Sequence, residues 1–126
     1  MRYLLDTTFL IDYLRGDAAA VSRFEALFEG GDQLLVNDVV VCELATGARN
    51  EADEDLLALL EPLEFIQPGP EAALAAGRQR AAALRKGRTL SLADALIGAA
   101  ADATQATVLT RNVRDFSLAQ ARLETY

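Results

Sequence analysis

Short apolar runs alternate with segments of helical periodicity along this chain, and that alternation constrains its fold more than any other feature. The runs are Tyr3 to Leu5 (closing at Asp6), Leu34 to Val36, Leu63 to Ile66 and Thr107 to Thr110, with the final Leu-Glu-Thr-Tyr as a short edge strand. Each run is too short for a helix. Between them, Phe9, Leu10, Tyr13 and Leu14 share one helical face that stops at Gly16. Asp17 can cap a second helix carrying Val21, Phe24, Leu27 and Phe28, ended by Gly30 and Gly31. The segment VVVCELATGA reads as a strand end followed by a helix, because three successive valines favour strand. Asp55 to Leu60 is a short helix stopped by Pro62, Pro70 opens an alanine-rich helix running to Lys86, and Ser91 starts another, SLADALIGAAADA. Strands separated by helices cannot pair as hairpins. The expected fold is therefore an α/β three-layer sandwich with a short central, mostly parallel β-sheet, formed by one domain over residues 1–126.

Composition narrows the chemistry. There is no histidine, which removes the usual triad base, most zinc sites and haem ligation. A lone cysteine, Cys42, leaves no internal disulfide and suits a reducing cytoplasm, and the opening MRYLLD shows no signal-peptide pattern. No apolar run approaches the roughly 18 to 20 residues of a membrane span. Nineteen acids against twelve bases give −7, which argues against nucleic-acid binding by bulk charge. The distribution is uneven, however: Arg78, Arg80, Arg85, Lys86 and Arg88 cluster in one stretch, and Glu51, Asp53, Glu54 and Asp55 in another.

In parallel α/β sheets ligands gather beyond the carboxyl ends of the strands, so the residues following each strand carry the most functional information. Four acids fall there or nearby. Asp6 closes the first strand, where it could also serve as an N-cap. Glu43 is the only charged residue between Val39 and Ala48, and a glutamate in such surroundings is rare unless paired or bound to metal; otherwise it lies on a wet helix face. Asp94 follows Ser91 at capping-box spacing, yet shares a face with Ile97, Gly98 and Ala101. Asp115 lies in a loop beside arginines after the fourth strand. If the four converge, they cannot all stay ionised without a cation, and magnesium or manganese is the natural guest for hard oxygen ligands. Such an ion could support in-line attack on a phosphodiester without a histidine base. Thr7, Thr8 and Thr110 could hold water or a phosphate oxygen, or simply be cap and strand-end residues. Arg78 and Arg85, seven apart on one helical face, and Arg111 and Arg114 beside Asp115 could contact phosphates or pair with nearby acids.

The ordered set LLDTTFLIDYLRG, VVVCELATGA, LSLADALIGAAA and VLTRNVRDF resembles the PIN-domain ribonucleases, specifically the VapC toxins of VapBC toxin–antitoxin pairs. By that resemblance Asp6, Glu43, Asp94 and Asp115 fall on the family's acidic quartet, with Asp6 and Asp94 as the principal magnesium ligands and Asn112 supporting the site. Thr8 departs from the family's usual asparagine or serine, but retains a hydroxyl. The resemblance implies a magnesium- or manganese-dependent endoribonuclease acting on RNA, a homodimer, and a VapB-like antitoxin whose C-terminal arm covers the site. A receiver-type phosphoacceptor domain would need two adjacent acids after the first strand and a lysine after the last; here Asp6 is followed by Thr7, and the only lysine, Lys86, ends a helix. A D-x-D phosphatase fails at Thr8. A noncatalytic interaction module of the same fold is the remaining alternative, and metal-dependent RNA cleavage distinguishes it from the enzyme.

Overall fold

A computed structural model describes residues 1–48 and 52–126; Glu51, part of the acidic stretch noted above, lies outside the described residues. The strands are β1 (Arg2–Leu5), β2 (Gln33–Val36), β3 (Glu64–Phe65), β4 (Thr107–Leu109) and β5 (Arg122–Glu124). All four pairings are parallel, in the order β3-β2-β1-β4-β5. The helices are α1 (Thr7–Leu14), α2 (Ala18–Glu29), α3 (Asp38–Gly47), α4 (Asp53–Leu60), α5 (Pro70–Arg85) and α6 (Leu92–Ala103).

Consecutive residues of β1, β2 and β4 are buried, so both sheet faces are covered, and Leu4, Leu5, Leu35, Val108 and Leu109 form the centre of the core. A second apolar cluster of small residues, including Ala76, Ala83, Ala95 and Ala99, joins α5 to α6. The caps explain where several helices begin. Asp17 accepts from the Ala20 amide at 2.9 Å and Ser91 from the Asp94 amide at 3.0 Å, while Pro70 occupies the first turn of α5. Gly16 ends the α1 turn in the left-handed region, at φ 75°.

The valine run is a correction. Val39, Val40 and Val41 form no strand end; α3 begins at Asp38, because the Asn37 side chain accepts from the Val40 amide at 3.0 Å. A good N-cap outweighs the modest β preference of three valines.

Chain order reverses at β1, whose two neighbours are β2 and β4. The crevice beyond the carboxyl ends of β1 and β4 is thus the topological switch point, where parallel sheets place their ligands.

Candidate active site

Asp6 and Thr110 stand side by side at that switch point, each one residue beyond the paired Leu5 and Leu109. The Asp6 amide donates to the Leu109 carbonyl at 3.0 Å, and the Thr110 amide to Glu124, so the ladder continues up to the site. Asp6 is 3% exposed, yet its side chain makes no capping hydrogen bond to α1. The cap explanation of this residue therefore fails. Its carboxylate is engaged by hydroxyls instead: Thr110 Oγ1 donates to Oδ2 at 2.7 Å and Thr8 Oγ1 donates to the same atom at 2.9 Å. Among the described residues Oδ1 receives no such bond.

The two threonines are oriented from behind. Thr8 Oγ1 accepts from the Arg111 amide at 3.3 Å, and Thr110 Oγ1 accepts from the Asn112 amide at 2.9 Å. A hydroxyl has one proton, and both are spent on Asp6, so the 3.4 Å approach of the two Oγ1 atoms is proximity without a shared proton. Asn112 thus contributes its backbone to the site. Thr7, the first residue of α1, donates to Glu43 Oε1 at 2.8 Å.

Glu43 is half-buried in α3, seven residues past the end of β2 rather than just after a strand. Asp94 is half-buried near the start of α6, which packs against β1, β4 and α3. Asp115 is exposed in the turns after β4. No three acidic or thiol side chains among the described residues are drawn together as a preformed metal group. Their mutual influence is nevertheless plain at Asp94, whose carboxyl is pushed up to about 6. Burial is the largest cause, the Ser91 hydroxyl opposes it, and the charges of Asp6, Asp115 and Glu43 add to it. The charges of the other three acids thus all bear on Asp94. None of the four is in an ion pair among the described residues.

The arginines divide. Arg78 and Arg85 are exposed on α5, and Arg114 is exposed beside Asp115. Arg111 is instead committed to an acid: its Nη1 reaches both oxygens of Asp12, at 2.7 and 2.9 Å. Asp12, on α1 and 7% exposed, also accepts from the Tyr126 hydroxyl. Burial, then the hydrogen bond to Asp12, raises that phenol well above its ordinary range. This cluster escaped the sequence reading, although Asp12 carries the signal that singled out Glu43. It is the only charged residue in the apolar helix from Thr7 to Leu14.

The PIN domain family matches residues 3–121 of the chain. The chain belongs to the PIN-domain family. It is similar to ribonuclease VapC19 of Mycobacterium tuberculosis, 30% identical over 115 residues, 91% of this chain and 92% of that protein. Among solved structures it is similar to a chain of VapBC2 from Rickettsia felis, bound to a DNA fragment from their promoter. That likeness has a TM-score of 0.85 at 23% identity and covers 100% and 99% of the two chains. A second likeness is to a chain of DNA-bound VapBC from Salmonella typhimurium, with a TM-score of 0.78 at 26% identity and coverage of 99% and 98%. The all-parallel sheet and the PIN family match bear out the fold and the family read from the ordered motifs.

Proposed function

We propose that this PIN domain is an endoribonuclease that hydrolyses RNA with magnesium or manganese, acting as the cytoplasmic toxin of a VapBC-type pair. One observation carries the reading: a carboxylate 3% exposed sits at the β1/β4 switch point with, among the described residues, only hydroxyl side-chain partners, and three further acids share its field. An uncompensated buried acid of this kind marks a functional site, and an all-oxygen donor set suits a hard divalent ion. Asp6 and Asp94 are assigned as the principal ligands, with Glu43 and Asp115 completing the set. When bound, the ion supplies Lewis-acid stabilisation of the charge that builds on the phosphate.

The chain's own residues have separate tasks. Thr8 and Thr110 donate to one oxygen of Asp6, which fixes the carboxylate's orientation and, among the described residues, leaves the other oxygen without a hydroxyl partner. Thr7 holds Glu43 in the same way. Arg78, Arg85 and Arg114 are exposed, where they can meet phosphates, contacts that position a nucleic acid without reading its sequence. The similarity to a VapC ribonuclease and to chains of VapBC complexes supports RNA as substrate and a VapB-like antitoxin as partner; the family resemblance implies a homodimer as the working form. Among the described residues no helix is long and apolar enough to cross a membrane.

The test is cleavage of RNA by the purified chain with Mg2+, with Mn2+ and with chelator. Metal-dependent cleavage that disappears in Asp6→Asn supports the enzyme; no cleavage under any condition favours the noncatalytic module.

A further inference from the structure

The Asp12 cluster lies outside the acidic quartet but is connected to it through one residue. Arg111 directly follows Thr110, and its two ends perform different tasks. Its side chain is pinned to α1 by both oxygens of Asp12, at 2.7 and 2.9 Å, and its amide meets Thr8 Oγ1 at 3.3 Å. Tyr126 closes the cluster from the other side. Its hydroxyl donates to Asp12 Oδ2, and its ring stands edge-on to Phe9, with centroids 4.8 Å apart at 79°. Phe9 is fully buried, so the ring is seated on the rigid core.

The consequence is geometric. Thr110 is still tied to β5 by its amide bond to Glu124, but from Arg111 onward the segment is a bend followed by turns, without ladder bonds among the described residues. Its placement against α1 depends on the contacts that Arg111 makes. The same segment presents Thr110, whose hydroxyl joins that of Thr8 on Asp6 Oδ2. If residues 111–112 shift, the two amides that orient the Thr8 and Thr110 hydroxyls move with them, and both proton donors lose their aim on Asp6.

We infer that Asp12, Arg111 and Tyr126 form a positioning clamp that holds the segment after β4 against α1, so that Thr8 and Thr110 keep Asp6 set for a divalent cation. The inference rests on the reading of Asp6 as a metal ligand. It also assigns Arg111 a holding role in place of a phosphate contact. Groups one step behind a metal ligand orient it, and losing one typically costs roughly 10 to 100-fold in metal affinity or activity.

Arg111→Ala is the decisive variant, because the two readings of Arg111 predict opposite signs. Removing a cation beside an acidic centre should, on charge alone, tighten binding of another cation. Loss of a clamp should weaken it. The measurement is Mn2+ affinity of the purified protein without RNA, followed by electron paramagnetic resonance, together with kcat and KM for RNA cleavage. The expected result is a roughly tenfold weaker Mn2+ affinity and a fall in kcat with KM little changed. Arg111→Lys should restore part of both, since it keeps a donor for Asp12. Tyr126→Phe, which keeps the ring on Phe9, should move both in the same direction by a smaller factor. The double variant Asp12→Ala/Arg111→Ala should be no worse than the more damaging single one, as members of one unit are not additive. Unchanged or tighter Mn2+ binding in Arg111→Ala, with the loss confined to KM and a shallower salt dependence of RNA binding, overturns the clamp and makes Arg111 a phosphate contact. Wild-type protein that binds no Mn2+ overturns the site reading and the clamp together. Wild-type binding that Asp6→Asn abolishes and Arg111→Ala leaves alone overturns the clamp only.

Discussion

Asp6 and Asp12 lie six positions apart and are almost equally buried, at 3% and 7% exposed, yet their surroundings are opposite. Asp12 has the partners that a buried carboxylate ordinarily needs: a guanidinium on both oxygens and a phenol on one. Asp6 has two hydroxyls and, among the described residues, no cationic side chain, and the charges of Asp6, Asp115 and Glu43 all bear on Asp94. Burial alone does not distinguish a structural acid from a functional one. Compensation does. A pair such as Asp12 and Arg111 is complete when the chain folds, whereas around Asp94 the charges of neighbouring acids add, a repulsion that the proposed divalent cation would relieve.

Neutralising each side should therefore have different consequences, and the largest is catalytic. Asp6→Asn and Asp94→Asn keep side-chain volume and remove a charge. Each should lower metal-dependent RNA cleavage by at least about 100-fold, the factor that about 3 kcal/mol of lost charge stabilisation represents. Circular dichroism and thermal melting should show the fold intact. Full cleavage activity in either purified variant would remove the acidic centre as the site.

The second effect is on stability. Asp12→Ala should destabilise the protein by about 1–3 kcal/mol in urea unfolding, less than a fully buried pair because Arg111 can be rehydrated. The Arg111 side chain is 55% exposed, whereas the Tyr126 phenol loses its acceptor in a half-buried place. Asp6→Asn and Asp94→Asn should cost much less, since each relieves repulsion. Equal losses in all three variants would mean that the two acids are compensated alike, and the contrast would not stand.

Legibility in the sequence followed the range of the interactions involved. Local signals worked: the capping serine of α6, the proline opening α5 and the apolar runs of β1, β2 and β4 were all readable from neighbours in the chain. The α3 start is not legible from its valines, because the Asn37 cap, accepting from the Val40 amide, sets it. Asp6, Glu43 and Asp94 stood out through position or apolar company, which are also local properties. What could not be read was pairing between distant residues. Arg111 and Asp12 are 99 positions apart, and Tyr126 and Asp12 are 114 apart. No periodicity encodes such a contact, so an arginine that the fold assigns to Asp12 read equally well as a phosphate ligand.

Gly98 tests how closely the acidic side is packed. It sits on α6 one turn after Asp94, and a Cβ there would approach the Ala119 Cβ to 2.8 Å. Alanine is favoured over glycine in a helix by about 1 kcal/mol, but overpacking of this kind costs about 1–3 kcal/mol. Gly98→Ala should thus give a net loss of about 1 kcal/mol in urea unfolding. Pushing Ala119 moves the turns that carry Asp115, so cleavage should also fall, while the Asp12 cluster keeps its bonds. A variant as stable and active as wild type would show that this segment yields without disturbing Asp115.

The smallest effect is the dependence of stability on pH, and its sign follows from Asp94. The Asp94 carboxyl, ordinarily at 3.8, is raised to about 6 in the folded protein. Between these values the folded state holds a proton that the unfolded chain has released. Stability changes with pH as the difference in bound protons, unfolded minus folded, so this group makes stability fall as pH rises from about 4 to 6. Above that window the penalty is complete, and it is muted because Asp94 is only half-buried. A divalent cation favours the ionised form, so added Mg2+ should stabilise the protein more at pH 7 than at pH 5. The measurement is melting temperature in chelator across pH 4 to 7, wild type against Asp94→Asn. Taking the difference cancels the other carboxylates, and the variant should gain on wild type steadily through the window. Parallel curves would mean that Asp94 ionises as freely as a surface acid. The acidic centre would then hold no repulsion for a cation to relieve, and its difference from the paired Asp12 would be one of geometry alone.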